Sequence, residues 1–151
     1  MKLEDRVAVI TGAGSGIGRA CAQEFAKEGA CVVVADINLA GALVTVKLIE
    51  AAGGSARAVR TDVADEASVR SLVDETLNAY SKANVLVNNA AIQINKTVED
   101  TTVEEWNREI AVNLGGVFLC SKLFLPHLRK TRGTIINMSS ANGFFVEPAC
   151  A

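Results

Sequence analysis

The sequence is short of the residues that several functions depend on. Among 151 residues there are one Trp, one Tyr and five Phe. Lys plus Arg number 15 and Asp plus Glu 17, which leaves a net charge of −2. A nucleic-acid groove needs a basic face interleaved with stacking rings, so nucleic acid is not an expected partner. His127 is the sole histidine, which removes the common zinc ligand sets. Cys21, Cys31, Cys120 and Cys150 form no CxxC pair and read as reduced thiols of a cytoplasmic protein. The longest stretch without a charged residue, Gly133 to Val146, has 14 residues. A membrane helix needs roughly 18 or more, so no membrane partner is expected either. The opening residues Met1 to Arg6 carry Glu4 and Asp5, where a secretory leader has only basic residues.

What is present points to a globular chain. Half the residues are apolar and 21% are charged, far from a disordered composition. The length suits one domain, and no Pro/Ser-rich linker divides it.

Five β-branched or apolar runs alternate with helix-periodic segments. Val7–Ile10, Cys31–Ala35, Ala56–Thr61, Val85–Val87 and Thr134–Met138 read as strands. Val7–Ile10, Cys31–Ala35 and Val85–Val87 are continuous apolar runs, which belong to strands buried on both faces, as in a parallel sheet, whereas Ala56–Thr61 reads as a weaker strand. Helices are expected from Gly16 to Glu28, from Asn38 to about Ala52, from Asp65 through Leu77, and from Thr102 to Leu128. The last is expected to carry its apolar residues at Trp106, Ile110, Leu114, Val117 and Phe118 and later from Leu123 to Leu128. Such alternation specifies an α/β fold with a parallel sheet, whose ligands sit beyond the C-terminal strand ends. Asp36, Asp62, Asn89 and Ser140 all stand where a strand stops.

The loop after the first strand is Thr11-Gly12-Ala13-Gly14-Ser15-Gly16-Ile17-Gly18. It joins a strand to a helix, the context in which such a loop binds phosphate. Gly12 suits a tight turn, Gly16 leaves room for a pyrophosphate at the helix start, and Gly18 lets the helix pack closely. No Gly-Lys-Ser/Thr follows, which excludes a Walker A loop. Asp36 lies 20 residues after Gly16, placed to accept hydrogen bonds from both ribose hydroxyls of NAD and to repel a 2′-phosphate. No Arg or Lys is expected inside the loop or beside Asp36 to receive that phosphate, so NAD is preferred to NADP.

Taken in order, Thr11–Gly18 (TGAGSGIG), Asp62-Val63, Asn88-Asn89-Ala90-Ala91, Asn113 and Ile135-Ile136-Asn137-Met138-Ser139-Ser140 resemble the motifs of the short-chain dehydrogenase/reductase family. The resemblance implies a Rossmann-type doubly wound parallel sheet of five strands in the order 3-2-1-4-5. It also implies hydride transfer between a nicotinamide and a secondary alcohol or ketone. Thr11, Gly12, Ser15, Gly16, Ile17 and Gly18 would hold the pyrophosphate, and Asp36 the adenosine ribose. Asp62 would accept from the adenine amino group, with Val63 against the ring. Asn89, Ala90 and Ala91 would lie beside the cofactor, Ala91 replacing the usual Gly with one methyl near the sheet. Asn113 would help support a proton-relay water, and Ser140 would orient the substrate carbonyl. A homo-oligomer is implied for the full-length family member.

Counted from Ser140, the resemblance implies that the family's catalytic Tyr-x-x-x-Lys would fall just past Ala151. The chain is therefore expected to be the cofactor portion of an incomplete family domain, without hydride transfer of its own. A non-catalytic dinucleotide-binding module and a non-functional truncated product stay open. Tyr80, expected on a helix surface, is not a substitute for the missing Tyr. Phe144, Phe145 and Val146 are candidates for one apolar wall of a substrate pocket, or for plain packing.

Overall fold

β1 (Val7–Thr11) is buried at all five positions. A computed structural model describes residues 1–140 and explains that burial, because β1 is the central strand. β2 (Cys31–Asp36), β3 (Ser55–Arg60), β4 (Val85–Asn88) and β5 (Thr134–Asn137) complete one sheet in the order β3-β2-β1-β4-β5. Every pairing is parallel. The expected α/β class, strand order and doubly wound arrangement are all present. Phe144, Phe145, Val146 and Cys150 lie outside the described residues.

Strand side chains alternate between two cores, as pleating requires. Val7, Val9, Val33 and Leu86 face one side, under α3 (Glu66–Tyr80) and α5 (Gly116–Thr131), which contribute Leu72, Phe124 and Leu128. Ala8, Ile10, Val32 and Val34 face the other, under α1 (Gly16–Lys27) and α2 (Leu39–Ala51), which contribute Ala22, Ala42 and Ile49. Asn38 and Asp65, the first residues of two expected helices, are their caps: Asn38 accepts from the Gly41 N–H and Asp65 from the Ala67 N–H. Thr102 and Glu105 form a reciprocal capping box at the start of α4 (Val103–Ile110).

The expected long helix departs from its expected packing. Between α4 and α5 the backbone takes a π-helical turn over Ala111–Gly115. Cys120, Phe124 and Leu128 pack inward. The expected apolar set is thus split: Phe124 and Leu128 are buried, whereas Trp106, Ile110, Leu114 and Phe118 lie on the outside. Residues 103–131 together form a 29-residue helix, long and apolar enough to cross a bilayer by length and composition. Counting only charge-free residues overlooked it. In this fold its inner face covers the sheet.

Tyr80 also differs from expectation. It is half-buried at the end of α3, hydrogen-bonded to Ser55 at the start of β3, and burial raises its hydroxyl above the usual phenol range. That end of the sheet is opposite the strand ends where Asp36 and Asp62 stand.

Candidate functional site

A cleft of about 350 Å³ opens at the C-terminal ends of β1, β2, β3 and β4. Gly12, Ser15, Gly16, Ile17 and Gly18 form its floor, and Asp36, Asp62 and Val63 one wall. Asn89, Ala90 and Ala91 form the opposite wall. Eleven of the fourteen residues singled out in the sequence therefore meet in one place. Thr11, Asn113 and Ser140 are not on its surface.

The floor is built by close backbone approach. Gly12 has φ +64°, and a Cβ there would come within 2.8 Å of the Ala90 Cα. A Cβ on Gly18 would run into the Gly12 carbonyl oxygen. Thr11 is buried behind the loop, where its Oγ1 accepts from the N–H groups of Asn89 and Ala90 at 3.0 and 3.1 Å. Asn89 donates from Nδ2 to the Thr11 carbonyl at 2.9 Å. These bonds tie the end of β4 to the glycine loop, so Asn89 shapes the floor as well as lining it.

The start of α1 is left open. Ser15 makes no side-chain cap hydrogen bond and no acidic residue occupies the first turn. Gly16 has φ +52°, and nothing lies within 4 Å of where its Cβ would be. Backbone N–H groups at the positive end of a helix, facing open space, suit a bridging diphosphate. The donor set therefore fits the phosphate portion of a dinucleotide.

The Asp36 carboxylate is preset. Asp36 Oδ2 accepts from the Gly14 N–H at 2.7 Å and Oδ1 from the Asn38 N–H at 2.9 Å. Both bonds come from backbone, which fixes the carboxylate plane without using a side chain. Contrary to the expectation of no basic group beside the loop, Arg19 reaches it. Its Nη2 donates to the Gly14 carbonyl and its Nε to Thr45 Oγ1 at 3.0 Å. Thr45 in turn donates to the Ala13 carbonyl at 2.9 Å.

At the end of β3, Asp62 Oδ1 accepts from the Ala64 N–H at 3.0 Å, and Oδ2 meets Arg108 Nη2 at 3.2 Å. Arg108 comes from α4 and lines the cleft. The Ala91 methyl is exposed on the cleft wall rather than set against the sheet.

Asn113 sits in the π-helical turn. Its Oδ1 accepts from the Ile92 N–H and its Nδ2 donates to the Ile92 carbonyl, both at 2.9 Å. Two further bonds continue the row: Ile94 N–H to Glu109 Oε1 at 3.1 Å and Lys96 Nζ to Glu105 Oε1 at 2.6 Å. Loop residues 92, 94 and 96 thus meet helix residues 113, 109 and 105. Two extended residues span about 6.6 Å and four helical residues about 6 Å, so the rows stay in step. The helix thereby holds the segment that carries the cleft wall. Ser140 is exposed, three residues beyond β5 at the same end of the sheet.

Sequence reading passed over Gly14, Arg19, Ile92 and Arg108. The extra glycine at position 14 was the one visible signal. The others are joined across gaps in sequence that no local motif reports.

Comparison with known proteins extends these observations. The short chain dehydrogenase family model matches residues 6–151. The meso-2,3-butanediol dehydrogenase of Serratia marcescens is 40% identical over 143 residues, covering 95% of this chain and 56% of that protein. A short-chain dehydrogenase/reductase from Burkholderia phymatum, solved in complex with NAD, superposes with a TM-score of 0.94 at 34% identity. It covers 99% of this chain and 54% of that one. A metagenomic short-chain oxidoreductase solved with NADP also gives 0.94, at 32% identity, covering 100% of this chain and 69% of that one. The chain spans just over half the length of the curated relatives it matches.

Proposed function

The chain belongs to the short-chain dehydrogenase family of oxidoreductases, and from that membership we propose that residues 1–151 are the NAD-binding part of an incomplete family domain. The proposed reaction moves a hydride between the nicotinamide and a secondary alcohol or ketone. The observation that carries the cofactor reading is the Asp36 carboxylate, held by two backbone N–H groups at the rim of a glycine-floored cleft. A fixed anion there accepts from two ribose hydroxyls and repels a 2′-phosphate. Arg19 does not stand beside it in the cleft: its Nε and Nη2 are tied to Thr45 and Gly14, and it does not line the cleft.

In this reading Gly12, Ser15, Gly16, Ile17 and Gly18 hold the pyrophosphate, with Thr11 fixing the loop from behind. Asp62 and Val63 receive the adenine. Asn89, Ala90 and Ala91 border the nicotinamide end. The bound nicotinamide supplies the hydride acceptor or donor. Ser140 orients the substrate oxygen, and Asn113 keeps the 92–96 segment in register with the helix and supports a proton-relay water. The general acid belongs to the part of the family domain that follows Ala151.

We further read the full-length protein as a soluble homo-oligomer. The exposed row Trp106, Ile110, Leu114 and Phe118 supports this, since one helix face with four large apolar groups favours burial against a partner.

The test is cofactor reduction by the full-length protein over a panel of secondary alcohols with NAD. Reduction with at least one secondary alcohol is expected. Tight NADH binding with no turnover on any secondary alcohol or ketone would overturn the oxidoreductase reading.

A further inference from the structure

Arg108 faces Asp62 across the cleft, and we propose that it is the positioning residue that fixes the Asp62 carboxylate to read the adenine amino group, a role that rests on the dinucleotide reading above. Asp62 is anchored from its own side of the cleft by local bonds. Its N–H donates to Ser68 Oγ at 3.0 Å, and its Oδ1 accepts from the Ala64 N–H at 3.0 Å. These hold the main chain and restrain one oxygen. The last torsion of an Asp side chain has a broad minimum, so a single hydrogen bond at Oδ1 leaves the carboxylate as a whole able to rock about that contact. Arg108 Nη2, arriving from α4 46 residues later, meets Oδ2 at 3.2 Å.

Folding does not explain the pair. The two side chains are 45% and 28% exposed, and ion pairs this wet add little to stability. Both, however, line the cleft. Charge points the same way. Asp36 and Asp62 both border a cleft that is to receive a negatively charged pyrophosphate, and among the described residues Arg108 is the cation on its wall. It offsets one carboxylate without covering it, because the Asp62 side chain stays 28% exposed and lines the cleft. A planar guanidinium also sets the orientation of a carboxylate, which a Lys ammonium does less well. Finally, Arg108 is on the helix that carries Asn113, so the adenine end and the 92–96 segment share one support.

The test uses the full-length protein and two dinucleotides, NADH and its deamino analogue with hypoxanthine in place of adenine. The analogue carries a carbonyl where the amino donor was. Wild type is expected to bind NADH about tenfold more tightly, the worth of one hydrogen bond to a charged acceptor. R108A and R108Q should compress that ratio to about threefold or less, with R108K restoring part of it and the melting temperature held. A purely structural role would weaken both ligands equally, and that result overturns the proposal, as does an unchanged ratio. Wild type that binds both dinucleotides alike overturns it while leaving the dinucleotide reading intact. Wild type that binds neither overturns both.

Discussion

The Gly14 N–H donates to Asp36 Oδ2 at 2.7 Å, which joins the glycine loop to the end of the next strand over 22 residues. A Cβ on Gly14 would sit 2.7 Å from that same oxygen. Gly14→Ala must therefore push the carboxylate out of place. NADH affinity is expected to fall about tenfold, while far-UV circular dichroism stays unchanged. Calorimetric titration reads this, and an unaltered dissociation constant would show that Asp36 needs no such support.

Asn113 holds Ile92 by both backbone polar groups. Asn113→Ala removes two exposed hydrogen bonds, worth about 0.5–1.5 kcal/mol each. Amide exchange in the peptide over residues 90–97 should speed up roughly tenfold, together with a large loss of kcat. Asn113→Asp keeps the acceptor and should show a smaller exchange effect. Exchange unchanged in both variants would contradict the row of contacts along α4.

Cys120 is fully buried, and desolvation pushes its thiol up to about 12 from an ordinary 9.0. The thiolate is the reactive form, so iodoacetamide should leave Cys120 unlabelled from pH 7 to about 9 unless denaturant is added. The same shift bears on stability. Below the unfolded value both states are protonated and nothing is lost. As pH rises from 9.0 towards 12 the unfolded thiol ionises first, so folding stability falls across that window. Labelling of native protein at neutral pH, read by peptide mass spectrometry, would count against this core.

Leu114 and Phe118 are 65% and 60% exposed on the outer face of the longest helix. Leu114→Glu should lower the mass of the full-length protein in light scattering by at least a factor of two. The NADH dissociation constant should shift less than about threefold, because the row is not part of the cleft wall. A wild-type monomer would remove this face from the account.

Much of this was readable from residues alone, and the failures share a cause. Asn38 and Asp65 announced their helices because a cap is a local hydrogen bond. The glycine loop and Asp36 were legible because close backbone approach and a fixed spacing leave marks in sequence. Trp106, Ile110, Leu114 and Phe118 misled because periodicity identifies an apolar face without saying what covers it, and Cys120, Phe124 and Leu128 form the face that packs on the sheet. The π-helical turn at Ala111–Gly115 adds a residue that no 3.6-residue pattern anticipates. Arg108–Asp62 and Arg19–Gly14 were invisible, since each is made by folding rather than by neighbours in sequence.

The most direct measurement is the ratio of NADPH to NADH dissociation constants for the full-length protein and for Asp36→Ala. A carboxylate held by Gly14 and Asn38 predicts that wild type favours NADH by at least about tenfold, and that the variant loses most of this preference by weakening NADH and gaining NADPH. Equal or tighter binding of NADPH by wild type would contradict the account, as would a preference that survives removal of Asp36.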